Sequence, residues 1–139
     1  VRVSSAFVEH LKQQPDAVLI NNSSILAFLP LVTNALYSAT KAAIHSYTLS
    51  QRFLLRDAGV NVIEISPPWV DTDLIYKSGD SRAMPVADFI QQTFDKLATD
   101  SIEVIVDSVL PARANPGVNE HEMVNAFNQS MVDNPIPVA

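Results

Sequence analysis

Residues 17–41 read AVLINNSSILAFLPLVTNALYSATK, and this stretch decides the fold. It begins with a short apolar run at 17–20 that turn-forming residues bound on both sides. Such a run is typical of a strand that is covered on both faces, as in a parallel sheet. A polar Asn-Asn-Ser-Ser segment follows, then a loop at 25–34, and then a helix that opens near Tyr37. The stretch therefore predicts a strand, a loop and a helix in that order.

The helix is predicted over 35–58, and Gly59 is suited to the left-handed residue that ends a helix. Its apolar residues form two stripes, one of Leu36, Ala39, Ala43, Tyr47 and Leu54 and the other of Ala42, Leu49 and Phe53. Two apolar stripes indicate a helix that is covered on both sides, by its own sheet and by a second surface. Residues 60–66 are rich in β-branched side chains and predict the next strand, which completes one strand–helix–strand unit.

Further elements flank this unit. We expect a helix at 1–14, which Pro15 ends, and a second helix that Pro85 opens and that continues to Leu97. The apolar run at 102–106 predicts a third strand. Because strands and helices alternate along the chain, the predicted fold class is α/β.

The carboxyl-terminal part carries weaker signals. Residues 111–117 predict a turn-rich connector, and 118–139 predict a last helix followed by a loose tail. Asn119 and Glu122 have the spacing of a capping box at the start of that helix.

Composition excludes several classes of protein. The chain has 139 residues with 47% apolar and 17% charged residues, which is enough for one globular domain. The net charge of −6 makes nucleic acid an unfavourable partner, and we expect none. No apolar run approaches the roughly 20 residues that a membrane span needs, so we expect no membrane insertion. With no cysteine and no leader visible at Val1, we expect a cytoplasmic protein.

Glycine is scarce, since Gly59, Gly79 and Gly117 are the only three in the sequence. A loop that cradles phosphate needs clustered glycines so that the backbone can approach the phosphate oxygens. This chain cannot build such a loop.

Tyr37 and Lys41 are four residues apart on a predicted helix, so their side chains share a face. A nearby ammonium stabilises a phenolate and lowers the pKa of the phenol, which then suits proton exchange with an alcohol or a ketone. Ser24 lies at the carboxyl end of the preceding strand, where open α/β sheets bind ligands, and its hydroxyl can bind a substrate oxygen. Alone, the Tyr–Lys pair is a weak signal, because a surface lysine beside a half-buried tyrosine has the same spacing.

Three segments together resemble the short-chain dehydrogenase/reductase family. They are NNSS at 21–24, YSATKAAIHSYT at 37–48 and ISPPWVDTDL at 65–74, and the resemblance covers about 1–106. It implies a Rossmann-like, doubly wound parallel sheet that is represented only by its second half. It further implies that 1–139 is the carboxyl-terminal part of a single NAD(P)-binding domain whose dinucleotide-binding half is absent.

The resemblance also implies a reaction, in which a hydride passes between NAD or NADP and a small-molecule carbonyl or secondary alcohol. Tyr37 would be the acid/base, Lys41 would lower the pKa of Tyr37 and hold the nicotinamide ribose, and Ser24 would orient the substrate oxygen. The implied cofactor-binding residues are Tyr37, Lys41, Pro67, Trp69, Val70 and Thr72. For Trp69 and Tyr76, contact with the substrate and plain packing are both open.

The chain departs from the family in three respects. Pro68 stands where glycine is usual, which removes a backbone donor beside the cofactor. The glycine-rich turn and the active-site asparagine of the family would both lie upstream of Val1. We therefore expect the isolated chain to have little or no activity.

Two further expectations concern partners. The resemblance favours a homodimer or homotetramer through the helices at 1–14 and 35–58. The alternative to an enzyme is a truncated or degenerate, non-catalytic domain that binds a partner through the long helix. An esterase that uses Ser24 is disfavoured, because no glycine lies near that residue.

The remaining polar residues receive structural interpretations. His10, His45 and His121 lack the spacing of metal ligands, so we interpret them as surface or packing residues and expect no metal site. For Asp71 and Asp73, loop solvation or capping is favoured over a metal or an acid/base pair.

Overall fold

The computed structural model describes residues 1–74 and 77–135. The helices within these ranges are α1 (Arg2–Leu11), α2 (Ala35–Leu55), α3 (Val86–Leu97), α4 (Leu110–Ala114) and α5 (Glu120–Asp133), and the strands are β1 (Ala17–Asn22), β2 (Val60–Ile65) and β3 (Glu103–Val104). Strands and helices alternate, which confirms the predicted α/β class. No helix in the described part of the chain is long and apolar enough to cross a membrane.

The three strands form one parallel sheet in the order β1-β2-β3. Ala17 pairs with Val60 at the start of the β1–β2 ladder, and Asn22 pairs with Ile65 at its end. Helix α2 connects these two strands, so the predicted strand–helix–strand unit is confirmed. Because the strands are parallel, their carboxyl ends lie at one edge of the sheet, which carries Ser24.

Apolar side chains pack on the sheet in two clusters. The first joins α1, β1, α2 and β2 and contains Ala17, Leu55, Val60 and Val62, with Val8 and Leu11 packed against it. The second lies beyond β3 and contains Ile105, Val106 and Val109, with Ile25, Met84 and Phe89 packed against it. The clusters fix the helices on the sheet by removing apolar surface from water.

The prediction of which face of α2 meets the sheet is wrong. The buried residues of α2 are Ser38, Thr48, Gln51 and Leu55, whereas Leu36, Phe53 and Leu54 of the predicted apolar stripes are 80%, 65% and 74% exposed. The sheet carries two buried polar side chains, Asn21 and Glu64, which need hydrogen-bonding partners once they leave water. The polar face of α2 supplies these partners, and its apolar face remains outside.

Smaller differences lie at element ends. Residues 110–114 form α4 where we predicted a turn-rich connector, since Pro111 lies in the first turn of a helix and needs no N–H there. Strand β3 has two residues rather than five. Asn119 makes no side-chain capping hydrogen bond, so the capping-box prediction is wrong. Gly59 has the left-handed φ of +70°, but it lies in the turn before β2 rather than directly after α2.

Candidate active site

The loops that leave β1 and β2 are joined at the carboxyl edge of the sheet. The Ser23 N–H donates to the Ile65 carbonyl at 2.9 Å, and the Ile25 N–H donates to the Pro67 carbonyl at 2.8 Å. These bonds continue the contact between the strands past the end of the ladder. They fix the position of Ser24 relative to the segment that follows β2.

The two serines after β1 have different surroundings. Ser23 is buried, and its Oγ lies 2.8 Å from the Oγ of Ser66, the residue directly after β2. Ser24 caps a short 3-10 helix at Ile25–Ala27, where its Oγ accepts a hydrogen bond from the Leu26 N–H at 3.2 Å. Ser24 therefore keeps its own hydroxyl proton available, while Ser23 is committed to the contact between the two strands.

Tyr37 and Lys41 lie together at the start of α2. Tyr37 is 44% exposed, and the Lys41 Nζ lies 5.4 Å from the centroid of its ring, which is within the range of a cation–π contact. The same Nζ donates to the carbonyl of Asn22 at the end of β1, at 3.1 Å. Partial burial lowers the pKa of Lys41 from its ordinary value. The helix start thus presents an accessible phenol with a cation held at its ring.

The segment after β2 turns back on itself. The Met84 N–H donates to the Trp69 carbonyl at 2.8 Å, and the Asp71 N–H donates to the Met84 carbonyl at 2.9 Å. Thr72 Oγ1 accepts from the Leu74 N–H at 3.4 Å, which is a local contact within the turn. Tyr76, one of the predicted substrate residues, lies outside the described residues.

Asp71 organises the loop that follows. Its Oδ1 accepts hydrogen bonds from the Ser78 N–H at 2.8 Å and from the Gly79 N–H at 3.2 Å. Asp80 and Arg82 form an ion pair at 2.7 Å, and the hydrogen bonds from Arg82 lower the pKa of Asp80 to about 2. Asp71 therefore shapes the loop, in agreement with the structural interpretation of the sequence.

The loop before α2 is held by the distant helix α5. Asn128 accepts from the Val32 N–H at 2.7 Å and donates to the Pro30 carbonyl at 2.9 Å, so one side-chain amide holds both polar groups of an extended segment. Ser38 Oγ accepts from the Leu31 N–H at 3.2 Å and donates to the Asn34 carbonyl at 3.0 Å. These contacts fix the backbone from which Tyr37 projects.

The sequence interpretation missed a part-buried cluster beneath the helix, of which Glu64 is the buried member. Glu64 on β2 is 1% exposed, and both of its carboxylate oxygens lie near the Nδ1 of His45 on α2, at 2.9 and 3.1 Å. Glu103, its register neighbour on β3, receives two hydrogen bonds from Arg113 on α4 at 3.0 and 3.1 Å. His45 packs against Phe28, and the interpretation of it as a surface or packing residue did not include its hydrogen bond to Glu64. The signal was a lone glutamate in the otherwise β-branched run VNVIEIS, since a carboxylate in a central strand needs a cationic partner.

A surface cleft of about 480 Å³ lies beside this cluster. Its walls include Phe28, His45, Arg113 and His121, and neither Ser24 nor Tyr37 lines it. The cleft is thus separate from the predicted catalytic residues.

Comparison with known proteins identifies the family. A family model described as short chain dehydrogenase matches residues 1–83. The Bacillus subtilis protein DltE, an uncharacterized oxidoreductase, is 40% identical over 114 residues, which are 78% of this chain and 45% of DltE. An uncharacterized oxidoreductase of Staphylococcus epidermidis is 43% identical over 74 residues, 53% of this chain and 32% of the relative. The chain thus spans less than half the length of these curated relatives.

Solved structures agree with this result. A short chain dehydrogenase from Burkholderia cenocepacia, in complex with NADP, has a TM-score of 0.68 and 25% identity, with 96% of this chain and 54% of that chain covered. A Comamonas testosteroni alcohol dehydrogenase specific for bulky-bulky ketones has a TM-score of 0.65 at 16% identity, covering 99% of this chain and 51% of its own, and supports the fold alone. The parallel sheet, the order of the motifs and the match of the family model together show that this chain belongs to the short chain dehydrogenase family.

Proposed function

We propose that this chain supplies the proton-handling part of an oxidoreductase that transfers a hydride between NAD(P)(H) and a carbonyl or secondary alcohol. The observation that carries the proposal is the placement of Lys41. Its ammonium is anchored on the Asn22 carbonyl and lies at the ring of Tyr37, beside the carboxyl end of β1. Ligands bind at this edge in open α/β sheets, and the family membership favours the same location.

In this proposal Tyr37 exchanges a proton with the substrate oxygen. A positioned hydroxyl group that gives or takes this proton acts as a general acid or base, and Tyr37 is accessible for that role because it is 44% exposed. Ser24 donates its hydroxyl proton to the same substrate oxygen and stabilises the negative charge that develops there. Together the two hydroxyl groups orient a carbonyl oxygen towards the carboxyl edge of the sheet.

The residues present fit only one end of the cofactor. A dinucleotide needs a glycine-rich turn for its pyrophosphate, and the three glycines of the sequence are far apart. The carboxyl edge, in contrast, offers Lys41 as a donor to ribose hydroxyls, with Pro67, Trp69, Val70 and Thr72 proposed beside the nicotinamide. A bound nicotinamide would supply or accept the hydride at this edge. The similarity to the Burkholderia cenocepacia short chain dehydrogenase, which was solved in complex with NADP, supports this cofactor class.

The edge position of β1 supports a domain that continues beyond this sheet. Among the described residues β1 pairs only with β2, and Val18 and Ile20 on β1 are 47% and 46% exposed. Exposed, apolar edge strands invite further pairing. We propose that residues 1–139 form the carboxyl-terminal part of one NAD(P)-binding domain, with 118–139 as its last helix and tail.

The outer faces of α1 and α2 support association with a partner. Val3, Phe7, Phe53 and Leu54 are 72%, 55%, 65% and 74% exposed. Apolar side chains exposed on neighbouring helices favour burial against another surface. We propose a homodimer or homotetramer through these helices. The same surface favours the second candidate function, a non-catalytic domain that binds a partner.

A matched pair of tyrosine variants separates the two candidate functions. The assay uses the reconstituted domain, which we define as this chain joined behind the amino-terminal half of the Bacillus subtilis relative. Tyr37→Phe should lower the rate of NADPH-dependent ketone reduction by at least about 10²-fold, because general acid catalysis is lost. Tyr47→Phe is the control, since Tyr47 lies on the same helix but bonds to Ser5. Equal rates for both variants would contradict the enzymatic function.

A further inference from the structure

We infer that Glu64 and His45 are positioning residues, whose buried contact holds Lys41 at the start of α2 and at the end of β1. This inference rests on the proposed function, because it concerns the placement of a residue that the proposal makes catalytic. It is carried by hydrogen bonds that link Glu64 to the helix on one side and to the β1 end on the other. Neither residue touches the position proposed for substrate or cofactor.

The first link runs from Glu64 to the helix. His45 lies one turn after Lys41, so the two side chains and Tyr37 share one face of α2. The His45 Nδ1 contacts both oxygens of Glu64, and its ring also meets the ring of Phe28 edge-on at 4.9 Å. The pair is held from two directions, which leaves the His45 ring little freedom.

The second link runs from Glu64 to the residue directly before the proposed catalytic serine. Ser66 Oγ lies 3.5 Å from Glu64 Oε1 and 2.8 Å from the Oγ of Ser23, the residue directly before Ser24. Glu64 therefore connects the strand that leads to Ser24 with the helix that carries Lys41. A single buried carboxylate thus contacts His45, one turn after Lys41, and Ser66, which in turn contacts the residue before Ser24.

The remaining contacts of α2 show why His45 matters for Lys41. Further along the helix, Thr48 and Gln51 accept from Asn21, and Arg52 donates to the Val62 carbonyl. These contacts fix the carboxyl-terminal half of α2 on the sheet. Between them and Lys41, the hydrogen bond of His45 to Glu64 is the side-chain contact of α2 with β2 that lies nearest to Lys41.

The charges around the pair favour a closed ion-pair cluster over a metal site. The nearest ligand atoms of His45, Glu64 and Glu103 lie within 4.8 Å of one another, which is a spacing that a divalent cation accepts. However, Arg113 donates to both oxygens of Glu103, and its positive charge also acts on Glu64. The guanidinium of Arg113 already offsets the negative charge of the carboxylates, which a bound metal cation would need.

The test measures the titration of Lys41 in the chain itself, by NMR of its Cε. In the parent chain, partial burial lowers the pKa of Lys41 from the ordinary value of 10.5. His45→Leu removes the donor to Glu64, and Glu64→Asp keeps the charge but shortens the reach. Both variants should release the helix start, expose Lys41 and shift its pKa upward towards the ordinary value.

Two matched variants control for other causes. His45→Asn places an amide N–H where Nδ1 stands and has the same branched shape as leucine, so it should keep Lys41 at its parent pKa. Thr93→Val changes a buried hydroxyl on α3 that has no hydrogen-bonding partner among the described residues, and it should also leave the pKa of Lys41 unchanged. Leucine and asparagine are both neutral, and only asparagine offers an N–H to Glu64. A parent-like pKa of Lys41 in His45→Asn, beside a raised one in His45→Leu, would therefore show that the hydrogen bond, and not a charge on residue 45, holds Lys41.

Three results would overturn the inference. The first is an unchanged Lys41 titration in both His45→Leu and Glu64→Asp, and the second is an equal upward shift in His45→Asn. The third is a shift of the His45 ring resonances that is complete at one equivalent of Zn²⁺, which would make the cluster a cation site. Because no arm depends on turnover, failure here is distinguishable from failure of the proposed function, which the Tyr37→Phe assay reports separately.

Discussion

Asn21→Ala should cost more stability than its single amide group suggests. Asn21 is 7% exposed and joins three elements, since its Nδ2 donates to Thr48 Oγ1 at 3.0 Å and to Gln51 Oε1 at 2.9 Å, while its Oδ1 accepts from Ser4 at 3.1 Å. The alanine variant removes all three hydrogen bonds. It also leaves the buried Gln51 oxygen without a donor.

The expected loss follows from these contacts. Two buried hydrogen bonds contribute about 1 kcal/mol each, and the stranded Gln51 oxygen adds a desolvation penalty of about 1–3 kcal/mol. Thr48 still donates to the Ile44 carbonyl at 2.8 Å, and a water molecule can take the place of Asn21 as the partner of the partly exposed Ser4. The loss of these two contacts therefore adds little to the destabilisation. We expect the free energy of unfolding to fall by about 3–5 kcal/mol in total, a large share of the ~5–15 kcal/mol that is typical of a domain.

The assay is urea unfolding followed by far-UV circular dichroism at neutral pH. Asn61→Ala is the matched control, because Asn61 lies on β2 and is exposed, and it should stay within about 0.5 kcal/mol of the parent. The double change Asn21→Leu with Gln51→Leu should cost less than the sum of the two single changes, because it strands no buried polar group. A loss for Asn21→Ala no larger than that for Asn61→Ala would refute the role of this network.

Three further predictions concern the loops and the helix face. The pKa of Asp80 should be about 2 by NMR and should rise in Arg82→Ala. Because the pKa of Asp80 is lower in the folded than in the unfolded chain, the pair stabilises the fold above about pH 4 and loses this effect as the pH falls towards 2. Asn128→Ala should speed amide exchange in the loop before α2, since its side chain holds that backbone, while exchange in the strands stays slow. Leu55→Ala should destabilise the fold by about 2–5 kcal/mol in thermal unfolding, whereas Leu54→Ala next to it should cost less than about 0.5 kcal/mol, and equal costs would contradict the observed orientation of α2.

The order of the elements could be predicted from the sequence because local signals agree with one another. The apolar run at 17–20, the β-branched run at 60–66 and the long helical segment between them each have one consistent interpretation. Parallel strands need a long crossover connection, usually a helix, so a helix between two strands indicates that the strands pair in parallel. The family model and the structural neighbours confirm the resemblance that rested on the three motifs.

The buried face of α2 could not be predicted from its own residues. Hydrophobic periodicity assumes that the sheet offers an apolar surface, which holds for Val60 and Val62 but not for Asn21 and Glu64. Whether a polar helix face is buried depends on side chains that come from two strands. The His45–Glu64 contact has the same origin, because its two members are 19 residues apart and are brought together only by the crossover.

The roles of Ser24, Tyr37 and Lys41 stay predictions. The Tyr37–Lys41 contact is local to one helix, so its spacing sufficed to predict it. The anchoring of Lys41 on the Asn22 carbonyl is a tertiary contact that no spacing specifies.

Transfer of deuterium tests the central claim most directly. NADPH deuterated at the nicotinamide C4 is incubated with a ketone and the reconstituted domain, and the alcohol product is analysed by mass spectrometry. The account predicts one deuterium at the carbinol carbon with the reconstituted domain, and a rate at least about 10²-fold lower with Tyr37→Phe. Little or no labelled alcohol is expected from the 139-residue chain alone. Labelled alcohol at undiminished rate from Tyr37→Phe, or at enzymatic rate from the chain alone, would contradict the account.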